Sequence, residues 1–249
     1  SKVNIRSWGT EVAKNYLLDL VVRNGKFALQ PVADFGVNPQ ITALFSAGNV
    51  IDESFEFTTS EEQDRVRPRV SVRWREEKAN NTNGLFPVVR QVTVREAGTP
   101  DDAPLESIDL SAYCTSERQA IDVAKYTCRA RRLITHSVSF STTPTEAALD
   151  IGSVFKLGME SISFNQPQNG AISATGEVTA WPPLDDGTYD VLLWDGATNA
   201  VQETSITVSG GTAGQRNSVF CLRSGTNKAE TYKAQALSYD ENGNIQVQA

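Results

Sequence analysis

Residues 109–157 constrain this chain most, because they place a capped amphipathic helix directly ahead of an alternating strand. Ser116 stands three residues before Gln119, the spacing of a capping box, in which a hydroxyl and an amide satisfy two free helical N–H groups reciprocally. Ala120, Ile121, Ala124 and Cys128 then fall on one narrow apolar face. Arg129, Arg131 and Arg132 gather near the helix C-terminus, where the macrodipole favours positive charge. Ile134, His136, Val138 and Phe140 alternate with Thr135, Ser137 and Ser139, the period of a strand with one buried face. Polar turn residues follow, and Gly152 opens a short strand ending at Leu157. A helix set in an otherwise strand-rich chain makes the class mainly β with two short helices.

The second helix is predicted upstream. Trp8, Val12, Tyr16, Leu17, Leu20 and Val21 have helical spacing, so a helix is expected from about Thr10 to Arg23, stopped by Asn24-Gly25. Strands are expected at 26–32, 41–45 and 54–58. Val66, Pro68, Val70, Val72 and Trp74 alternate with Arg67, Arg69, Ser71, Arg73 and Arg75. Pro68 pushes that strand to an edge or delays its start to Arg69. A turn at 77–84 leads to a return strand at 86–95, and 96–104 is a loop. From Ile151 onward only strands and turns are read. The turn signals are Asn169-Gly170, Asp186-Gly187, Asp195-Gly196, Gly210-Gly211, Ser224-Gly225 and Asn242-Gly243, with strands at 171–179, 187–194, 201–208, 219–223 and 233–239 between them. This texture predicts a β-rich module at 1–150 carrying both helices and a small all-β barrel or sandwich at 151–249.

Bulk properties narrow the function classes. The 249 residues can bury a sizeable core. No apolar run approaches the ~18–20 residues of a membrane span, and no basic-then-apolar leader opens the chain. The first residue is Ser rather than Met, as in a piece of a longer polypeptide. Net charge is −7, and residues 150–249 carry 11 acidic against 5 basic side chains. Such a surface argues against general nucleic-acid binding. Three cysteines without CxxC spacing argue against a disulfide framework and a zinc site, so folding in a reducing cytoplasm is expected.

Candidate chemistry is sparse. His136 is the single histidine, so a Ser-His-Asp triad would have to use it, yet it lies mid-strand without a nucleophile elbow. Asp101-Asp102 and Asp185-Asp186 could be read as carboxylate pairs for glycoside hydrolysis, but adjacent residues beside Pro or Gly suit turns better. Ser209-Gly210-Gly211-Thr212 lacks the Lys and the following helix of a phosphate loop. No catalytic, metal or cofactor residue is therefore assigned. Trp181, Trp194 and Tyr189 could form a carbohydrate platform, although aromatics on strands are more often core. Arg67, Arg69, Arg73 and Arg75 form the most distinctive charge pattern, four cations on one side of a strand. They need carboxylate partners, water or an anionic ligand; Glu76, Glu77 and 61–64 could supply the first, a subunit contact is the alternative, and a nucleic-acid track along a channel is disfavoured because no aromatics interleave on the same face.

The same segments resemble the central hub protein at the tip of long-tailed bacteriophages, the J-type host-specificity protein of lambda-like phages. The resemblance runs through the S-x-x-Q-A helix, the strand with V-x-F and the G-S-V-F strand. It extends to SWGTEVAKNYLLDLVVRNGKFALQPV, to LFSAGNVIDESFEF followed by RVRPRVSVRWREE, and to the closing TYKAQALSYDENGNIQVQA. No single piece is highly specific, and their order carries the resemblance. It implies β-barrel hub domains around the tail axis and a homotrimeric, non-enzymatic virion component, assembled in the host cytoplasm, that closes the tail tube. Its partners would be distal tail, tape-measure or fibre proteins. Two other classes remain open at this point: a carbohydrate-binding or adhesive β-module, and a β-rich envelope-degrading hydrolase.

Overall fold

The computed structural model describes residues 5–23, 26–32, 41–59, 67–76, 88–143, 149–159, 168–196, 198, 200–223 and 228–249. The elements in chain order begin with α1 (Ile5–Lys14), β1 (Leu18–Arg23), β2 (Lys26–Pro31), β3 (Ile41–Phe45), β4 (Glu56–Thr59), β5 (Arg69–Glu76), β6 (Val88–Val94) and β7 (Leu105–Asp109). They continue with α2 (Glu117–Leu133), β8 (His136–Thr142), β9 (Val154–Leu157), β10 (Asn169–Ile172), β11 (Val178–Trp181) and β12 (Gly187–Asp195). Last come β13 (Ala200–Val208), β14 (Ser218–Leu222), β15 (Glu230–Lys233), β16 (Ala236–Tyr239) and β17 (Ile245–Gln248). The protein is mainly β, with two helices among the described residues. None of its described helices is long and apolar enough to cross a membrane. The expected helix stop at Asn24-Gly25, the expected turns at 77–84 and Ser224-Gly225, and the acidic stretch 61–64 lie outside the described residues.

The chain folds into two compact units: Ser1–Asp34 with Thr59–Ser137, and Phe35–Thr58 with Val138–Ala249. A division at residue 150 follows the change of texture along the sequence. Strand pairing groups the chain differently, because β3 lies parallel to β9 and β8 lies against β17.

In the first unit, β5 sits between antiparallel β6 and parallel β7. Alternation sends Val70, Val72 and Trp74 to one face, where they pack against Ala120, Val123, Ala124 and Cys128 of α2. Of the two outcomes that Pro68 allows, the delayed start at Arg69 is the one found; β5 is central in its sheet rather than at an edge. No element is predicted at 105–108, which follow the 96–104 loop; Leu105 and Ile108 are three apart and give no period of two, and pairing with β5 makes the strand β7. α2 begins where predicted: Ser116 is extended (φ −107°, ψ 123°), and its side chain accepts from the Gln119 N–H. Two details differ. Val123 rather than Ile121 completes the buried face. The Gln119 side chain does not return to the cap; its amide donates to the Asn15 carbonyl at 2.7 Å.

The first helix also differs from its prediction. It spans Ile5–Lys14 instead of 10–23, and the chain leaves it through a tight turn in which the Tyr16 N–H donates to Ala13 O at 2.9 Å. Leu17 has φ +54°, a left-handed conformation that a helix cannot continue through. Leu18–Arg23 then pairs with β2 in full register, Leu18 opposite Pro31 and Arg23 opposite Lys26. Two residues thus separate the strands, a hairpin spacing for which Asn-Gly is a strong signal. The same dipeptide also terminates helices, which is why the sequence admits both readings.

The second unit holds three sheets with strand orders β11-β10-β14-β12-β13, β15-β9-β3 and β16-β17-β8-β4. Phe45, Phe140 and Phe155 form its aromatic centre, with ring centroids 4.9–5.9 Å apart. β14 is buried along its whole length. Phe220 and Leu222 join one cluster with Val191, Leu193 and Ile206, while Val219 and Cys221 join another with Leu44 and Trp194. A strand covered on both faces reads as a continuous apolar run rather than an alternation. Expected strands at 171–179 and 233–239 each resolve into two, β10 with β11 and β15 with β16. Asn169-Gly170 is inside β10 rather than at a turn; the turn between β10 and β11 lies at residues 173–176, where the Gly176 N–H donates to Ser173 O.

Candidate subunit interface

Alternation along β5 and the residues before it sets Arg67, Arg69, Arg73 and Arg75 on the side opposite Val70, Val72 and Trp74. The four differ in environment. Arg67 is exposed and donates to Ala97 O at 3.1 Å. A Cβ at the neighbouring Gly98 would stand 2.9 Å from its Nη1, so glycine leaves room for the guanidinium. Arg69 is half-buried and donates through Nε to Ala103 O at 2.9 Å. Arg73 is exposed, 4.0 Å from the carboxylate of Asp109, its opposite residue on β7. Arg75 is half-buried. Between Arg69 and Arg73, buried Ser71 accepts from Gln91 Nε2 at 2.6 Å.

The recorded bonds of Arg67 and Arg69 go to carbonyl oxygens, which orient a guanidinium without cancelling its charge. The Arg73–Asp109 pair is long and solvent-exposed, a geometry with little net worth. Hydrogen bonds from Ser111, and then the Arg73 charge, hold the Asp109 carboxyl below its usual range. Elsewhere in the unit, arginines meet carboxylates: Arg90 with Glu76 at 2.7 Å, Arg132 with Glu96 at 3.0 Å and Arg131 with Glu106 at 3.3 Å.

The other predicted positions take structural parts. His136 opens β8, half-buried, with Nδ1 2.9 Å from Thr135 Oγ1. Asp101 pairs with Arg95. Asp186 accepts from the Gly210 N–H at 2.9 Å, and the Asp185 carbonyl accepts from Tyr189 at 2.9 Å. Ser209 and Thr212 close a reciprocal turn over Gly210 and Gly211, both at positive φ. Trp194 is buried in the core while Trp181 is 68% exposed, so the two do not share one exposed platform. Cys114, Cys128 and Cys221 are buried free thiols. Burial pushes the Cys221 thiol up to about 12, which keeps it protonated and inert. Among the described residues no cluster of three metal-ligand side chains occurs. An apolar groove between α1 and the β1–β2 hairpin, lined by Trp8, Val12, Tyr16, Leu20, Phe27 and Leu29, has no counterpart in the sequence reading. The predicted helix over 10–23 concealed it.

No protein-family model matches the chain, and no curated protein matches its sequence. Three solved structures are similar at low identity. One is the virion of a native gene transfer agent particle, with TM-score 0.45 and 14% identity, covering 86% of this chain and 37% of that one. The second is a tail protein from Neisseria meningitidis MC58, with TM-score 0.40 and 10% identity, covering 99% and 54%. The third is the 43 kDa tail protein of prophage MuSo2 from Shewanella oneidensis, with TM-score 0.36 and 10% identity, covering 97% and 50%. The chain thus spans between 37% and 54% of the length of these relatives. At these scores no property of those proteins passes to this one.

Proposed function

We propose that this chain is a structural, non-enzymatic component of a bacteriophage tail: a hub at the tail tip that closes the tube and connects it to receptor-binding parts. The observation that carries the reading is the ordered cassette of residues 116–157, whose S-x-x-Q-A, V-x-F and G-S-V-F pieces resemble the hub family and fold as capped helix, strand and strand. In this reading the chain forms a homotrimer in which its sheets contribute to barrels around the tail axis. A closed ring needs two different surfaces on each subunit, meeting head to tail. The arginine face of Arg67, Arg69, Arg73 and Arg75 is one, and the acidic surface of residues 150–249 is its complement. Distal tail, tape-measure or fibre proteins would be the further partners, and assembly would take place in the host cytoplasm.

Sedimentation of the purified chain tests the ring, and immuno-electron microscopy of tailed particles tests the location. A trimer and labelling at the tail tip are expected. A chain that is monomeric at high concentration and absent from the tip overturns the proposal. The carbohydrate-binding alternative now rests on Trp181 with Pro182 and Pro183, all exposed; glycan binding lost in Trp181→Ala would favour it. Turnover of polysaccharide, peptidoglycan or an ester that vanishes on mutating one acid or His136 would favour a hydrolase.

A further inference from the structure

The second unit contains five basic side chains, Lys156, Arg216, Arg223, Lys228 and Lys233. Three of them, Lys156, Arg223 and Lys228, line one small cleft. Strand register explains how they meet. Glu203 of β13 stands opposite Leu192 of β12, and Leu192 stands opposite Cys221 of β14, a row across the sheet. Lys156, from β9 in a different sheet of the unit, reaches the same cleft, and Arg223 and Lys228 lie on its rim. Leu192, Leu222 and Ala229 supply apolar walls.

The charges in this cleft do not balance. Arg223 binds Glu203 at 2.8 Å, the one carboxylate among the described residues of the lining. The Lys156 ammonium donates to Ala229 O at 3.3 Å, one acceptor for a group with three donors. Burial pushes Lys156 below the ordinary lysine range, and the charge of Lys228 adds to that, against the opposing pull of Glu203. Holding two ammonium groups near one another beside apolar walls costs free energy that an anion would offset through charge-assisted hydrogen bonds. Low-dielectric walls strengthen that attraction.

We propose that the cleft formed by Lys156, Arg223 and Lys228 is a binding site for a small oxyanion, a carboxylate or a phosphate group. Its size suits such a group: the cleft encloses about 230 Å³, below the usual range for drug-sized ligands. Lys156 supplies the inner donors and Lys228 the outer ones, while Glu203 holds Arg223 in place at the rim.

The test is titration of the whole chain with inorganic phosphate, and separately with acetate, at constant ionic strength, followed by amide NMR. Saturable shifts at Leu192, Cys221 and Ala229 are expected. Tighter phosphate binding assigns the site to a tetrahedral anion, and tighter acetate binding assigns it to a carboxylate; either outcome supports it. Lys156→Met should weaken binding about tenfold, the value of one charge-assisted hydrogen bond. Exposed Lys228→Ala, which leaves the core untouched, should weaken it about threefold. Arg216→Ala, outside the cleft, should leave it unchanged. Non-saturating shifts with both anions, or equal affinities in Lys228→Ala and Arg216→Ala, overturn the site.

Discussion

Asn169 and Gly170 show what a dipeptide signal omits. In sequence they read as a turn, yet Asn169 is fully buried. Its Oδ1 accepts from the Ala47 N–H at 3.1 Å, and its Nδ2 donates to Gly158 O at 2.8 Å. The side chain ties the loop after β3 to the residue after β9. Asn169→Ala leaves the buried Gly158 carbonyl and the more accessible Ala47 N–H without that partner, so a loss of about 1–3 kcal/mol is expected in urea denaturation. Gly170 is required by close approach, since a Cβ there would lie 2.0 Å from Thr179 O and 2.8 Å from Ala180 Cα. Gly170→Ala should cost at least the ~1–3 kcal/mol of overpacking, because backbone atoms must shift. Asp109 gives a pH effect. Its folded carboxyl is lowered by Ser111 and Arg73 from an ordinary 3.8. Its contribution to stability is therefore complete above that value and is lost as pH falls through the folded pKa. Asp109→Asn should flatten the acid limb of denaturation midpoint against pH; an unchanged limb would assign that limb to other carboxylates.

At the scale of elements, α2 was legible because cap, face and charge all point to one answer. The Ser116 Oγ stands 3.5 Å from the Gln119 N–H, a long bond. Ser116→Ala should therefore cost near the lower end of the N-cap range, about 0.5–1 kcal/mol, with a denaturation midpoint unchanged within error assigning the cap elsewhere. Gln119 was only half legible. Its partner is the backbone of Asn15, 104 residues away, and no local pattern carries that pairing. The alternation of β5 and the continuous run of β14 each exposed their strands, but period alone cannot say which strand lies beside them. β7 became a strand through β5, and α1 was misplaced because Leu17–Val21 satisfies helical spacing while its neighbours Phe27, Ala28 and Leu29 pair with it as a sheet. The arginine face was legible as a pattern; that Arg67 and Arg69 donate to carbonyls was not, since loop residues Ala97 and Ala103 reach them through tertiary folding.

For the whole molecule, the proposed ring makes a charge-dependent prediction. Reversing Arg73 and Arg75 to Glu should weaken the trimer more than it lowers the stability of the monomer, because Arg73 is exposed and its pairing with Asp109 is loose. Rising salt should weaken the trimer as well, since the screening length shrinks to about 8 Å at physiological ionic strength and further above it. Sedimentation across salt concentrations decides between outcomes: a salt-insensitive trimer keeps the ring and discards this contact.

The interleaving of the two units along the chain governs the order in which a nascent polypeptide can mature. β3 leaves the ribosome more than a hundred residues before β9, the strand it lies beside, and β8 emerges a similar distance ahead of β17, its antiparallel partner. The sheet of β5, β6 and β7 and its helix α2 have all their strands in hand by residue 133. Loop-closure cost makes distant pairings late. Translation therefore delivers one finished unit while the aromatic strand carrying Phe45 waits with its apolar face exposed, the interval in which a chain like this is most open to capture by a chaperone or by another copy of itself.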